Sequence, residues 1–402
     1  MAPGLTVSTS AGEVLGLIAS GEARTRGALA RRTGLSRATT TERLEVLFRA
    51  GLIREGERAT PSGGRPARVL MLDPGRYVVL AADLGEDHVR LLLTDLTGEP
   101  VAEHVGPVAI SAGPTAVLGL VTGAARRLLA ESGRNERDLL GVGLSVPAPV
   151  DHARGRVTSP SVMDGWTGQP IEELVRQTFD VPVVVENDVN ARGYAEHLRS
   201  WPTVEDLLFV KAGTGIGSAI ISAGTLFRGA RGAAGDIGHI RLQPDDGPLC
   251  RCGATGCVES LAAGWSVVRD LRAASFSVAT TRDAMDLARA GQPEAVRLLR
   301  AAGRTLGRAI AYTVSILNPA VVVVGGSLSG VDQHLLTGVR EAVYQHALPL
   351  ATSELRIVAG AGDERSGATG AALLAAAECL RPEAVNERLR ARPGNAAPAA
   401  AS

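Results

Sequence analysis

Apolar, β-rich runs alternate with alanine- and leucine-rich stretches along most of this 402-residue chain, and that alternation restricts the fold more than any other feature. From Tyr77 onward, YVVLAADLG, VRLLLTDLTGE, GVGLSVPAPV, VPVVVEND, DLLFVKAGTGIGSAII and AVVVVGGSLS read as strands. Helical spacing covers about 115–132, 171–179, 189–198, 284–315 and 367–380. Strands this apolar, separated by helices, predict an α/β architecture with buried sheets. The glycine-punctuated strand theme occurs twice, near Asp83 and near Gly213, so two similar lobes with a cleft between them are expected. Residues 381–402, RPEAVNERLRARPGNAAPAAAS, are rich in Ala and Pro and read as a disordered tail.

Residues 1–72 differ from this body in charge. They carry eleven arginines against six glutamates, a net +5, and the remainder carries −5, so the chain sums to zero. A basic head on a mildly acidic body points to a polyanion partner for the head alone. Leu15 and Ile18 mark a first helix ended by Gly21, and Leu29 lies on a second, from about Thr25 to Thr33. Gly34-Leu35-Ser36 reads as a tight turn whose serine caps a third helix, from Arg37 to about Ala50, with Leu44 and Leu47 inward and Gly51 as the stop.

The first turns of that third helix offer Ser36, Arg37, Thr39, Thr40, Thr41 and Arg43 to a partner. Hydroxyls suit base edges or phosphates, and arginine can bind guanine with two hydrogen bonds. The extended runs that follow, GLIREGE and TPSGGRPARVLML, suit a wing. There Gly64 and Arg65 would slide into a narrow A·T-rich minor groove, where the negative potential holds a guanidinium. The segment resembles the winged helix-turn-helix that heads bacterial repressors. A bland alternative is a small helical bundle with a solvated basic face.

No apolar run approaches the roughly 18 residues that span a bilayer, and no basic patch followed by a hydrophobic stretch opens the chain. Three of the four cysteines lie between Cys250 and Cys257, which is no disulfide framework. A reducing cytoplasm is the expected compartment. His239, Cys250, Cys252 and Cys257 supply one imidazole and three thiols within a short loop, a set that closes a tetrahedral zinc shell without leaving a water position. The expectation is one structural Zn2+; buried free cysteines or a catalytic zinc are the alternatives.

The stretch GDIGHIRLQPDDGPLCRCGATGCVES and the strand pattern around it resemble the ROK family (repressors, open reading frames and sugar kinases) over about residues 75–380. That resemblance implies an actin-like ATPase fold of two lobes, with the zinc positioning a sugar site beside it. The basic head makes the chain similar to the repressor branch. Matched motif by motif, the resemblance implies sugar contacts from Asn187, Asp188, Asp236, His239 and Glu259. In the family's kinases the aspartate matching Asp188 is the general base toward the sugar hydroxyl. Asp236 departs from the usual glutamate by one methylene, and Pro147-Ala148 stands where Pro-Gly is common.

The family's first phosphate loop reads Asp-x-Gly-Gly-Thr-Lys, whereas this chain reads DLGEDH. Asp83 and Gly85 remain, and Glu86, Asp87 and His88 replace the second glycine, the threonine and the lysine. Two carboxylates would then face a polyphosphate. At ~4 Å and an effective dielectric of ~20, each like-charge pair costs on the order of 4 kcal/mol. The glycine loops GTGIG and VVGGS survive, but glycine turns also serve plain folding. The expected function is a DNA-binding regulator of carbohydrate metabolism, probing operator DNA with its head and a small sugar with its cleft, without enzymatic turnover. Pairing into a homodimer or homotetramer would present two heads to a pseudo-palindromic operator, its half-sites one or two turns of ~34 Å apart. The competing classes are an active sugar kinase with an accessory head and a DNA-binding protein whose body only oligomerises.

Overall fold

A computed structural model describes residues 9–58, 68–152, 154–158, 163–329, 333–362 and 364–391. The head contains the three expected helices, and each boundary has a local cause. Ala11–Ala19 opens with a capping box between Ser10 and Glu13. Arg26–Thr33 is capped by Thr25, and Arg37–Ala50 by Ser36, whose Oγ accepts from the Thr39 N–H. Gly34 and Gly51 end the second and third helices at φ of +72° and +70°, a backbone conformation that costs glycine least. Leu15, Ile18, Leu29, Leu44 and Leu47 meet inside. Strands Ile53–Arg58 and Arg68–Leu72 pair antiparallel as the ribbon of the wing.

The body holds two five-stranded sheets built to one plan. In the first lobe the order is Pro100–Pro107, His88–Thr94, Val78–Leu84, Leu139–Val146, Val183–Asn187. In the second it is Thr225–Phe227, Ile216–Ser222, Leu207–Ala212, Val321–Gly325, Arg356–Ala359. In both sheets the first three strands run antiparallel and the last two join in parallel. The repeat inferred from the glycine-punctuated strands is therefore a repeat of topology.

Two helices bind the lobes together. Asp188–Ser200 follows the last strand of the first sheet and packs on the second, while Ser366–Cys379 follows the last strand of the second sheet and packs on the first. Where they cross, small residues bring backbone against backbone. A Cβ added to Gly370 would overlap the Ala191 carbonyl, and on the sheet beneath, one added to Gly143 of strand Leu139–Val146 would overlap that of Ala371. One continuous core runs from the head through these helices into the faces of both sheets.

Two expectations need correction. The single helix over 284–315 is two, Thr281–Arg289 and Pro293–Leu317, because Gly291 takes φ +74° and Pro293 starts the second. The segment read as a disordered tail contains a helix, Pro382–Ala391, and the residues beyond it lie outside the described ones. It buries Val385 and Leu389, one turn apart, against the first helix of the head. The Asn386 side chain accepts a 3.0 Å hydrogen bond from the Gly12 N–H, and Arg388 lies over the Tyr77 ring at 4.9 Å. The head is thus gripped by the far end of the chain.

Gly370→Ala should force the crossing helices apart and cost roughly 1–3 kcal/mol. A urea midpoint indistinguishable from that of the unaltered protein would contradict the close approach.

Candidate functional site

On the head, Arg37 is fully available at the start of the third helix, and Ser36 is exposed beside it while capping. Thr39 is half-buried, its hydroxyl 2.9 Å from that of Ser36, and Thr41 is half-buried on the outward side. Thr40 does not belong with them. It is 2% exposed and its hydroxyl donates to the Ser36 carbonyl, because 3.6 residues per turn place it above Leu44 on the inward face. Arg43 is half-buried, with Glu42 at 3.8 Å. Gly64 and Arg65 lie outside the described residues.

Between the lobes is a cleft of about 2080 Å³, and Asn187, Asp188, Asp236, His239 and Glu259 all line it. Their roles differ. Asn187 caps the helix Asp188–Ser200, its Oδ1 accepting from the N–H groups of Val189 and Asn190, and its amide donates to the Ala148 carbonyl at 3.0 Å. Asn187 therefore fixes the direction of its neighbour more than it offers itself to a ligand. Asp188, only 6% exposed, is ion-paired with Lys211 across the lobes. Glu259 accepts from the Ile216 N–H at 3.1 Å, inside the glycine loop of the second lobe. Asp236 is exposed at the wall, and His239 is half-buried.

The first phosphate loop is filled from within. The Asp83 carboxylate takes 2.6 Å hydrogen bonds from Arg192 and from the Ser145 hydroxyl, and Gly367 packs so closely that a Cβ there would strike it. Arg192 also donates to Ser366, which begins the second crossing helix. Glu86 faces Arg251 at 3.8 Å across the cleft mouth. Asp87 pairs with His88 at 2.8 Å, and that hydrogen bond holds its carboxyl below the ordinary value. Two decisive residues, Lys211 and Arg192, were not picked out as site residues from sequence. A signal existed for each: Lys211 is the sole lysine in an arginine-rich chain, and Arg192 lies one helical turn after Asp188.

His239, Cys250, Cys252 and Cys257 converge, with their ligand atoms all within 4.8 Å of one another, so this group could hold a metal ion. The Cys252 and Cys257 sulfurs are 3.7 Å apart, and Cys250 Sγ lies 3.8 Å from His239 Nδ1. Burial pushes the Cys250 thiol up and that of Cys257 up to about 12. No helix among the described residues is long and apolar enough to cross a membrane.

A two-lobed cleft of the sugar-kinase type, carried behind a helix-turn-helix head, is the class these features define. The chain belongs to the ROK family, whose model matches residues 79–378, and a helix-turn-helix domain model matches residues 10–56. It is 27% identical to the xylose repressor of Caldicellulosiruptor bescii over 349 residues, covering 83% of this chain and 87% of that one. It is 27% identical to the N-acetylglucosamine repressor of Escherichia coli O157:H7 over 358 residues, with 86% and 87% covered. A ROK family transcriptional regulator, homologous to the Escherichia coli MLC protein, shares the fold with a TM-score of 0.80 at 24% identity, over 94% of this chain and 98% of that one. The ROK hexokinase of Thermus thermophilus matches at a TM-score of 0.64 and 32% identity, over 75% of this chain and 98% of its own.

Arg192→Ala should leave the Asp83 carboxylate buried without its cation and cost about 3–5 kcal/mol. Removing that charge too, in Asp83→Ala/Arg192→Ala, should recover much of the loss, read as a denaturation midpoint. Equal midpoints for Arg192→Ala and the unaltered protein would sink this assignment.

Proposed function

We propose that this protein is a DNA-binding transcriptional regulator of carbohydrate metabolism, a repressor by its relatives' names, whose operator affinity is set by a sugar in the inter-lobe cleft. The observation that carries the reading is one chain joining a capped, exposed helix on a basic head to a kinase-like cleft whose buried aspartates, Asp83 and Asp188, are tied up in ion pairs. The names of the two repressors cited above support the same reading. The competing reading is an active kinase, favoured by the hexokinase likeness and the GTGIG loop. It has to displace Arg192 from Asp83 and Lys211 from Asp188 before either carboxylate is free. ATP turnover with glucose, N-acetylglucosamine or xylose would establish it.

Arg37 reads bases from the start of the third helix, Ser36, Thr39 and Thr41 meet phosphates, and Arg43 supports the helix from its half-buried position. Arg65 and Gly64 serve the minor groove. The protein works in the cytoplasm as a homodimer or homotetramer on a pseudo-palindromic operator. A sugar held by Asp188, Asp236, His239 and Glu259 binds one arrangement of the lobes better than the other, as any effector must. The crossing helix Ser366–Cys379 leads directly to Pro382–Ala391, which grips the first helix of the head. Lobe closure thereby tilts both heads against a fixed half-site spacing, with a coupling of about 1–3 kcal/mol.

The metal is one structural Zn2+ held by His239, Cys250, Cys252 and Cys257. Two sulfurs bound at ~2.3 Å in a tetrahedral shell would lie about 3.8 Å apart, and those of Cys252 and Cys257 are already 3.7 Å apart. Cys250, Cys252 and Cys257 would hold such an ion as thiolates, which for Cys250 and Cys257 offsets the upward push of burial. The chain's own part is to bring a wall of the cleft, through His239, under the control of that loop.

The deciding experiment is gel-mobility analysis on the protein's own upstream region with and without each sugar. Sugar-dependent mobility is expected, and Arg37→Ala should cost about 1–3 kcal/mol and relax sequence preference. Indifference of the complex to every sugar would defeat the effector reading, and unchanged affinity in Arg37→Ala the base-reading role. For the metal, elemental analysis should find one zinc per chain. Cys252→Ser should lose metal, stability and sugar response together, whereas a folded, responsive, metal-free protein would refute the site.

A further inference from the structure

The floor of the cleft contains two cations that would attract anions, Lys211 and Arg192, and the chain has already answered both with its own carboxylates. Lys211, the sole lysine, is paired with Asp188. Arg192 is spent on Asp83 and Ser366. In the glycine loop Gly213–Gly217, the Ile216 N–H is taken by Glu259, whose carboxylate lies so near Gly215 that a Cβ there would come within 2.9 Å of it. Among the described cleft-lining arginines, only Arg282, exposed at the rim, has no hydrogen-bond or ion-pair partner.

This matters because each pair couples one part of the cleft to another. Asp188 lies on a crossing helix and Lys211 on the central strand of the second sheet. Asp83 is on the central strand of the first sheet, and Arg192 is on the same helix as Asp188, one turn further. The floor is thus a row of alternating, mutually neutralised charges. A phosphate entering it must break an existing ion pair and leave a carboxylate uncompensated, with Glu86 and Asp87 adding repulsion on the first-lobe side. A neutral polyol meets no such obstacle, since its hydroxyls can donate to the free lone pairs of Asp188 and Glu259 without breaking either pair.

We infer that the cleft is a receptor for unphosphorylated sugars that rejects their phosphate esters and nucleoside triphosphates, and that Asp188, by pre-filling Lys211, is the residue that sets this choice. The inference rests on the cleft being the sugar site of the proposed function. Lys211 acts through Asp188 as its positioning partner.

Calorimetric titration of the full chain would compare glucose, N-acetylglucosamine and xylose with glucose 6-phosphate, N-acetylglucosamine 6-phosphate, ATP and inorganic pyrophosphate. The unaltered protein should bind at least one neutral sugar and take its 6-phosphate about tenfold more weakly or worse. Asp188→Asn releases Lys211, so affinity for the 6-phosphate should rise about tenfold while that for the parent sugar falls. Asp83→Asn, which releases Arg192 instead, should also gain phosphate binding and covers the case in which Asp188→Asn does not fold. Lys211→Met should gain none. Tighter binding of the 6-phosphate than of the parent sugar by the unaltered protein, lost in Lys211→Met, would overturn the inference. Pyrophosphate separates this failure from failure of the sugar reading. Even if no sugar binds, the unaltered protein should ignore pyrophosphate and Asp188→Asn should take it up; uptake by both would refute the pre-filled floor.

Discussion

The close crossing of two helices between the sheets is the constraint on which the molecule depends. Gly370 and Ala191 meet backbone to backbone, and neither lobe is complete without the helix that follows the other's last strand. Packed interiors resist continuous deformation and favour discrete arrangements, so such a crossing behaves as a pivot with few settings. The same two helices carry the chemistry of the floor. One begins at Asp188 and bears Arg192, and the other begins at Ser366, which holds Arg192 in turn. The crossing and the floor of the cleft are therefore one object, and a change in the charge pairs of the floor loads the crossing itself.

Much of the fold is legible from local sequence because local rules set it. Ser36 and Gly51 bound the third helix of the head at the residues expected, since an N-cap hydroxyl and a left-handed glycine need no tertiary information. The Cys250–Cys257 loop likewise folds on itself, and its four candidate ligands converge as their spacing implied. Thr40 was misassigned by phase alone: three consecutive threonines cannot all face outward on a helix of 3.6 residues per turn. The helix Pro382–Ala391 was hidden in a charged and proline-flanked stretch. Its Val385 and Leu389 have the right spacing, but two apolar residues become a signal only with a groove to fill.

The floor of the cleft was the least legible part, for a different reason. Arg192 reaches Asp83 over 109 residues and Lys211 reaches Asp188 across the lobes, so neither pairing leaves a trace in local pattern. Residue type alone labels Asp83 and Asp188 as kinase chemistry; it does not reveal that each is ion-paired to a cation from another element. Asn187 carries the same lesson, since a motif amide expected at a ligand is mostly engaged in capping a helix.

The grip of the last described helix on the first has a consequence for how the protein is made. Gly12 and Asn386, which share a hydrogen bond, are 374 residues apart in the chain. A ribosome adding about 5–20 residues per second needs roughly 20 to 75 s to go from one to the other. Throughout that interval the head exists without its clasp, with the apolar side of its first helix uncovered where Val385 and Leu389 will sit. A chain that stops before Pro382 leaves that side of the first helix to solvent. The packing of the first helix of the head is thus completed by one of the last segments to be synthesised, after both lobes of the body.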